Sequence, residues 1–147
     1  MPDTSVMSLN KPNSQKALPD NGYAALLMKQ LLKRGAILHS DIFEEIGHGK
    51  FFVIIGEDEN GYVGFFFINS GISEFVAKKP KLAELQYSVS SKDYTFLSYD
   101  SFVGCHDIKP ISKAKLISSI NAKKTTVKGK LTPNDLVAII IITANSS

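Results

Sequence analysis

The residues of this sequence best suited to acid–base chemistry lie in a short glycine-flanked segment, Gly47-His48-Gly49-Lys50. A histidine titrates near neutral pH and can carry protons, while a neighbouring lysine can neutralise a phosphate. The two glycines allow a ligand to approach the backbone closely. We therefore predict that His48 and Lys50 belong to a catalytic site, the alternative being an ordinary loop with a glycine hinge.

Further polar candidates stand near the ends of predicted strands. Asn69 and Ser70 follow an aromatic run, and their side chains can hydrogen-bond a phosphate or an unstacked base, unless they are simply a polar strand end. Asp100 has apolar and aromatic neighbours, so a buried carboxylate there would need a partner. It is predicted either to orient a base such as His48 or to cap a turn.

The single cysteine, Cys105, adjoins His106, but adjacent residues on a strand point to opposite faces and do not make a catalytic dyad. Cys105 is therefore predicted to be a small core residue, whereas His106 either faces the same cleft as Asp100 or lies on the surface. Three histidines and one cysteine this far apart do not match a zinc site, and no phosphate-binding loop or dinucleotide fingerprint occurs. We expect no metal and no cofactor.

Length and composition indicate one globular domain. The 147 residues are 44% apolar and 21% charged, close to ordinary globular usage. Residues 1–19 are polar and are predicted to form a flexible tail, with a single domain over 20–147. No secretion signal is recognisable, the lone cysteine fits a reducing compartment, and no apolar run reaches the roughly 20 residues of a membrane span. The predicted location is the cytoplasm, with no membrane partner.

The net charge of +3 is too small to prove a polyanionic partner, but the lysines are clustered. Seven lie after residue 100, against two aspartates, and three more lie close together: Lys109, Lys113, Lys115, Lys123, Lys124, Lys128 and Lys130, and then Lys78, Lys79 and Lys81. Such clusters attract phosphate backbones in a salt-dependent way, or they form a solvated face that maintains solubility.

The apolar pattern predicts one helix followed by strands. The helix is expected over Gly22–Arg34, with Gly35 ending it. The predicted strands are Ala36–His39, Phe51–Ile55, Tyr62–Ile68, Leu85–Val89 and Tyr94–Val103. Asn60-Gly61 predicts a hairpin between the second and third strands. These unbroken apolar runs need cover on both faces, which favours a small, strongly bent β-barrel packed by helices.

The C-terminal third is predicted to be helical. Ser112 is suited to cap a helix through about Asn121, and Thr132-Pro133 begins another that runs to Ile142, although four isoleucines there favour a strand on propensity. A helix so apolar must be covered by the barrel or by a second subunit. The predicted fold is mainly β with helices (α+β): a small β-barrel with an N-terminal helix and two C-terminal helices.

In order and spacing, these segments resemble the MazF/PemK family of toxin–antitoxin ribonucleases over residues 35–142. The matching blocks are Gly35-Ala36-Ile37-Leu38, Gly49-Lys50-Phe51-Phe52-Val53-Ile54-Ile55, Phe67-Ile68-Asn69-Ser70, Phe96-Leu97-Ser98-Tyr99-Asp100 and Gly129-Lys130-Leu131-Thr132. Lys50 occupies the position of the arginine that leads into the family's second strand, and Asn69 occupies the position of a family threonine. Ser98 replaces the arginine that typical members carry two residues before the aspartate, here Asp100.

The resemblance implies a small SH3-like, PemK-like barrel and a growth-inhibiting toxin that cleaves single-stranded RNA without a metal, using the ribose 2′-OH as nucleophile. It also implies a homodimer and a cognate antitoxin protein. Together with the residue types, it selects as catalytic His48, Lys50 and Asp100, and as substrate-binding Asn69, Ser70, Ser98 and His106. The missing arginine leaves open a barrel that binds protein or nucleic acid without cleaving it. A third alternative is a subunit whose isoleucine-rich helix docks into a larger assembly.

Overall fold

The computed structural model describes Leu26 and residues 29–145, and the chain divides into two units, residues 1–31 and 32–147. In the first unit, Leu26 and residues 29–31 are helical, as predicted. The helix ends at Leu31, before the predicted limit of Arg34, and residues 32–35 form a turn in which Gly35 has a φ of +92°. The predicted tail over 1–19 lies outside the described residues.

The second unit is a mixed α+β fold, which confirms the predicted class. Its seven strands form one antiparallel sheet: β1 (Ala36–Ser40), β2 (Lys50–Glu57), β3 (Tyr62–Asn69), β4 (Gln86–Val89), β5 (Ser101–Gly104), β6 (Lys109–Ser112) and β7 (Thr125–Lys130). The described helices of this unit are α1 (Glu74–Ala77), α2 (Pro80–Ala83), α3 (Lys113–Asn121) and α4 (Pro133–Asn145). The strand order is β4-β5-β3-β2-β1-β7, with β6 also paired to β3.

The sheet is open, so the predicted closed barrel is not found among the described residues. Its outer strands, β4 and β7, do not pair with each other. The predicted strand Tyr94–Val103 is largely wrong, because residues 91–100 form turns and bends and β5 begins only at Ser101. Backbone bonds from Tyr94 N to the Ser90 carbonyl and from Leu97 N to the Tyr94 carbonyl curl this stretch. Because these turns occupy the first part of the predicted strand, β5 is only four residues long.

The β2–β3 hairpin has the predicted position. Phe51 pairs with Ile68 and Phe52 with Phe67, and a bulge near Ile54 increases the bend of the pair. At the tip, the Asp58 carboxylate accepts hydrogen bonds from two backbone N–H groups of the turn, each 2.9 Å long. Gly61 has a φ of +83°, a conformation that glycine adopts without steric cost.

Both faces of the sheet are covered, as the unbroken apolar runs predict. One face shares a core with α4 and with the turn that contains Tyr94 and Leu97. On the other face, the ring of Phe43 lies 4.9–5.5 Å from the rings of Phe52, Phe65 and Phe67, measured between centroids. The strands of the sheet centre are therefore apolar on both sides because neither side faces water.

The two C-terminal helices begin as predicted. The Ser112 hydroxyl accepts a hydrogen bond from Lys115 N at 3.0 Å, and the Thr132 hydroxyl accepts one from Asp135 N at 3.2 Å. The isoleucine run is helical: Ile139 is fully buried, whereas Val137 and Ile141 on the opposite side of α4 are more than half exposed. The core thus covers only one side of this apolar helix. Four elements were not predicted, namely α1, α2, β6 and β7.

Among the described residues, no helix combines the length and the apolar character needed to cross a membrane.

Candidate functional site

The candidate site is a groove of about 520 Å³ at one end of the sheet. Strand register brings its parts together, because β2 begins beside the end of β3, and the last residue of β3, Asn69, pairs with Phe102 of β5. The groove is lined by His48, Lys50, Phe67, Asn69, Ser70, Gly71, Ile72, Ser73, Val76, Gln86, Gly104, His106 and Asp107. Five of the seven predicted site residues therefore share one groove.

Lys50 and Asn69 form the centre of the polar side. The Lys50 ammonium donates a hydrogen bond of 2.5 Å to Asn69 Oδ1 and lies 5.7 Å from the centroid of the Phe67 ring. Burial lowers the pKa of Lys50 because it penalises the charged form. A partly desolvated ammonium attracts an anion more strongly than one in water, since less solvent screens it.

His106 lies in the same groove, where a glutamine that was not predicted contacts it. Gln86 Nε2 lies 2.9 Å from His106 Nδ1 and 3.1 Å from the Leu82 carbonyl oxygen. Of the two positions predicted for His106, the cleft is the one observed, although Asp100 does not share it. No pattern in the sequence marks Gln86, because its contact depends on the pairing of β4 with β5.

Gly104 allows the groove residues to approach one another. A Cβ built on Gly104 would lie 3.3 Å from both Asn69 Nδ2 and His106 Cε1. These separations are tighter than ordinary van der Waals contact, so a larger residue would displace one of the two side chains. This close packing is a steric reason for glycine at position 104.

His48 stands at the exposed rim, with its Nδ1 2.8 Å from the carbonyl oxygen of Gly49. Gly47 has a φ of +76°, which explains one flanking glycine. The other has a packing reason, because a Cβ on Gly49 would collide with the His39 ring. The two glycines therefore shape the loop itself. The group that approaches the backbone closely at Gly49 is the His39 side chain, and not a ligand.

Ser98 lies beside the groove and not in it. It lines an adjoining depression of about 180 Å³ together with His48, Lys50 and Ser70. Ser98 is exposed and belongs to the turn segment before β5, so the position that resembles the family's arginine is not on a strand. The two cavities share the three residues just named and form neighbouring parts of one surface.

Asp100 is not among the residues that line either cavity. Its carboxylate accepts hydrogen bonds from Ser91 N at 2.9 Å and Ser91 Oγ at 3.0 Å. The backbone N–H of Ser91, and then its hydroxyl, lower the pKa of Asp100 by stabilising the charged form. Of its two predicted roles, capping a turn is the one observed, and Asp100 does not join Lys50 and Ser70 in one cleft.

Cys105 is in the core, as predicted. Its side chain is buried, and burial raises the pKa of the thiol to about 12. Because the thiolate is the nucleophilic form, this residue is inert at neutral pH.

The groove offers several polar atoms to a ligand. Within the described part of the chain, Asn69 Nδ2, Ser70 Oγ and His106 Nε2 have no hydrogen-bond partner. Together with the Lys50 ammonium, these groups can donate hydrogen bonds to an anion such as a phosphate. Asp107 is the acidic residue of the lining, and Lys109 neutralises it at 3.0 Å. The described residues contain no cluster of three metal-ligating side chains.

No protein-family model matches the chain, and no curated protein matches its sequence. Its function is therefore inferred from the chemistry of the groove.

Proposed function

We propose that this chain binds single-stranded RNA in the groove and cleaves it without a metal, as a MazF/PemK-like growth-inhibiting toxin. In this proposal the protein acts in the cytoplasm as a homodimer, has a PemK-like fold and is neutralised by a cognate antitoxin protein. The single observation that carries the proposal is the convergence of His48, Lys50, Asn69, Ser70 and His106 on one groove.

The proposed reaction is attack of a ribose 2′-OH on the adjacent phosphorus, which breaks the bond to the 5′-oxygen and leaves a 2′,3′-cyclic phosphate. His48 at the rim takes the proton of the 2′-OH, water protonates the leaving 5′-oxygen, and His106 donates a hydrogen bond to a phosphate oxygen. Lys50 stabilises the negative charge of the pentacovalent phosphate. Asn69 and Ser70 hold phosphate oxygens, and Ser98 contacts the part of the RNA strand that extends beyond the groove. Asp100 has no part in this scheme because its carboxylate is bonded to Ser91.

Two features support this chemistry. His48 and His106 both line the groove, so the chain offers one imidazole as a base and another as a hydrogen-bond donor to the phosphate. Lys50, which lines the same groove, is partly buried, and this increases its effect on a developing negative charge. Neither feature requires a metal.

The test combines growth and RNA cleavage. We expect induced expression to arrest growth, and the purified protein to cleave single-stranded RNA in EDTA. Lys50→Ala should lower the cleavage rate by roughly 100-fold, since it removes a transition-state contact worth about 3 kcal/mol. His48→Ala, which removes the base, and His106→Ala, which removes a hydrogen bond to the phosphate, should each lower the cleavage rate by about 100-fold or more.

Two matched variants serve as controls. Lys130→Ala removes an exposed lysine from the end of β7 that pairs with Ala36, away from the groove, and should leave cleavage unchanged. Asp100→Asn should also keep its activity. Normal growth together with intact RNA for the wild-type protein would reject the proposal.

A non-catalytic module that binds single-stranded nucleic acid is the second candidate. The composition of the groove favours this candidate, because Lys50 is the one lysine or arginine among the lining residues and no arginine takes the place of the one that Ser98 replaces. This candidate predicts RNA binding that weakens with salt, no cleavage, and a shallower salt dependence in Lys50→Ala, with a slope reduced by about one. Cleavage products in EDTA would rule it out.

A further inference from the structure

The side-chain amide of Gln86 can have only one orientation. Its Nε2 carries two protons, and it lies within hydrogen-bond distance of two atoms, the Leu82 carbonyl oxygen at 3.1 Å and His106 Nδ1 at 2.9 Å. If the amide were turned over, its oxygen would face the Leu82 carbonyl oxygen, and two acceptors would repel each other. The carbonyl, which cannot donate, therefore fixes Nε2 as the atom that faces His106.

This orientation determines where neutral His106 carries its proton. Because Gln86 Nε2 can only donate, His106 Nδ1 must accept, and the proton of the neutral ring lies on Nε2. Within the described part of the chain, no group bonds to His106 Nε2. The ring therefore presents a free N–H to a ligand.

Asn69 is oriented by the same logic. The Lys50 ammonium donates to Asn69 Oδ1, which leaves the amide nitrogen Nδ2 free and close to Gly104. Asn69 Nδ2 and the His106 ring both lie about 3.3 Å from the same point above Gly104, so the two are neighbours. Two donors side by side with an ammonium suit the oxygens of a phosphate.

From these contacts we infer that Gln86 is a positioning residue that holds His106 as an Nε2–H donor to a phosphate oxygen in the groove. The inference rests on the proposed function only in taking a phosphate as the ligand. Gln86 reaches this place because it begins β4, pairs with Gly104 and stands four residues after Leu82. The Gln86 side chain therefore links a helical turn to the groove.

The test reads the imidazole directly by long-range 1H–15N NMR on histidine-labelled full-length protein, with His106→Gln to assign the signals. We expect the Nε2–H form in the wild type. Gln86→Glu puts an acceptor beside Nδ1 and should bring a proton to that nitrogen. Gln86→Met, which is of similar size and has no donor, should give a mixture of the two tautomers. Ser88→Ala, an exposed change further along β4, is the control and should match the wild type.

Inorganic phosphate is the probe for binding. We expect saturable shifts of the His106 Nε2 signal in the wild type and in Ser88→Ala. In Gln86→Met we expect phosphate to bind roughly tenfold more weakly, because the hydrogen bond from His106 Nε2 to the charged phosphate is no longer held in place. An identical imidazole pattern in the wild type, Gln86→Glu and Gln86→Met would overturn the inference. Phosphate binding of equal strength in Gln86→Met and in the wild type would also overturn it.

RNA cleavage separates this inference from the proposed function. If the tautomer responds to Gln86 and the wild type cleaves no RNA, the positioning role stands and the ribonuclease proposal fails. If RNA is cleaved and the tautomer ignores Gln86, the reverse is true.

Discussion

Single side chains decide what the groove can bind. Lys50 is held by Asn69 and His106 by Gln86, so each polar group has a defined orientation before a ligand arrives. Such preorganisation lowers the cost of binding, because the ligand does not have to order the side chains. Of these four residues, only Gln86 lacked a chemical signal in the sequence, since an amide on a short edge strand is common on protein surfaces.

Gly104→Ala should damage the groove more than the fold. The added methyl group would press on Asn69 and His106, whose side chains can move by a few tenths of an ångström. We expect phosphate binding, followed by NMR titration, to weaken several-fold while the melting temperature falls by only a few degrees. Gly71→Ala is a matched control, because Gly71 lines the same groove and nothing lies within 4 Å of its Cβ position. Equal effects of the two variants would contradict the steric argument.

At the scale of elements, polar contacts attach the two C-terminal helices to the rest of the fold; those of α4 are half-buried and that of α3 is buried. The Asp135 carboxylate at the start of α4 accepts hydrogen bonds from Tyr87 of β4 and from Tyr94. On the other helix, the Thr125 hydroxyl of β7 lies 2.6 Å from Ser40 Oγ and 2.7 Å from Ser119 Oγ of α3. Because hydrogen bonds are directional and apolar packing is not, these contacts fix the orientation of each helix more precisely than packing alone.

The tyrosine contact predicts a loss of stability at high pH. The hydrogen bond to Asp135, and then burial, raise the pKa of Tyr87 from 10.0 to about 12. A raised pKa means that the folded state holds the proton more tightly, so this stabilisation is complete below pH 10 and is lost as the pH rises to about 12. We expect the free energy of unfolding, measured in urea, to fall over that range. Tyr87→Phe should be less stable at pH 7 by about 1 kcal/mol and should show a smaller decline; an equal decline would contradict the assignment.

The hydroxyl contact predicts a large difference between adjacent threonines. Thr125→Val would leave Ser40 and Ser119 without their shared partner in a buried place, at a cost of about 2 kcal/mol in the free energy of unfolding. Thr126→Val, at the exposed neighbouring position, should change it by less than about 0.5 kcal/mol. Urea unfolding of the two variants provides the measurement, and a similar loss in both would refute the role of Thr125.

At the scale of the whole molecule, the apolar side of α4 that the core leaves exposed bears on the proposed homodimer. Val137 is 56% and Ile141 53% exposed, on the side of the helix opposite Ile139. Exposed apolar residues at this spacing suit contact with a second copy. The same surface also suits the alternative of a subunit in a larger assembly.

We expect the wild-type protein to have twice the mass of one chain in solution, and Ile141→Glu to reduce it to that of a single chain, because a buried charge would disfavour the interface. Light scattering after size exclusion gives the mass. Ile108→Glu is a matched control, since Ile108 is 56% exposed but belongs to the loop before β6. A wild-type monomer would remove the homodimer from the proposal.

The sequence by itself determined most of the longer local elements and much of the site. Turn and capping residues such as Gly61, Ser112 and Thr132 act on their immediate neighbours, so their effects can be read without the fold. His48, Lys50 and Asn69 were recognisable because their chemistry belongs to the residue types.

Only the tertiary structure decided that the sheet stays open, that Asp100 bonds to Ser91 and that Gln86 meets His106. These outcomes depend on pairing between segments distant in sequence, and pairing is set by packing over the whole core. A short apolar stretch such as residues 94–100 fits a strand or a turn equally well until its neighbours are in place.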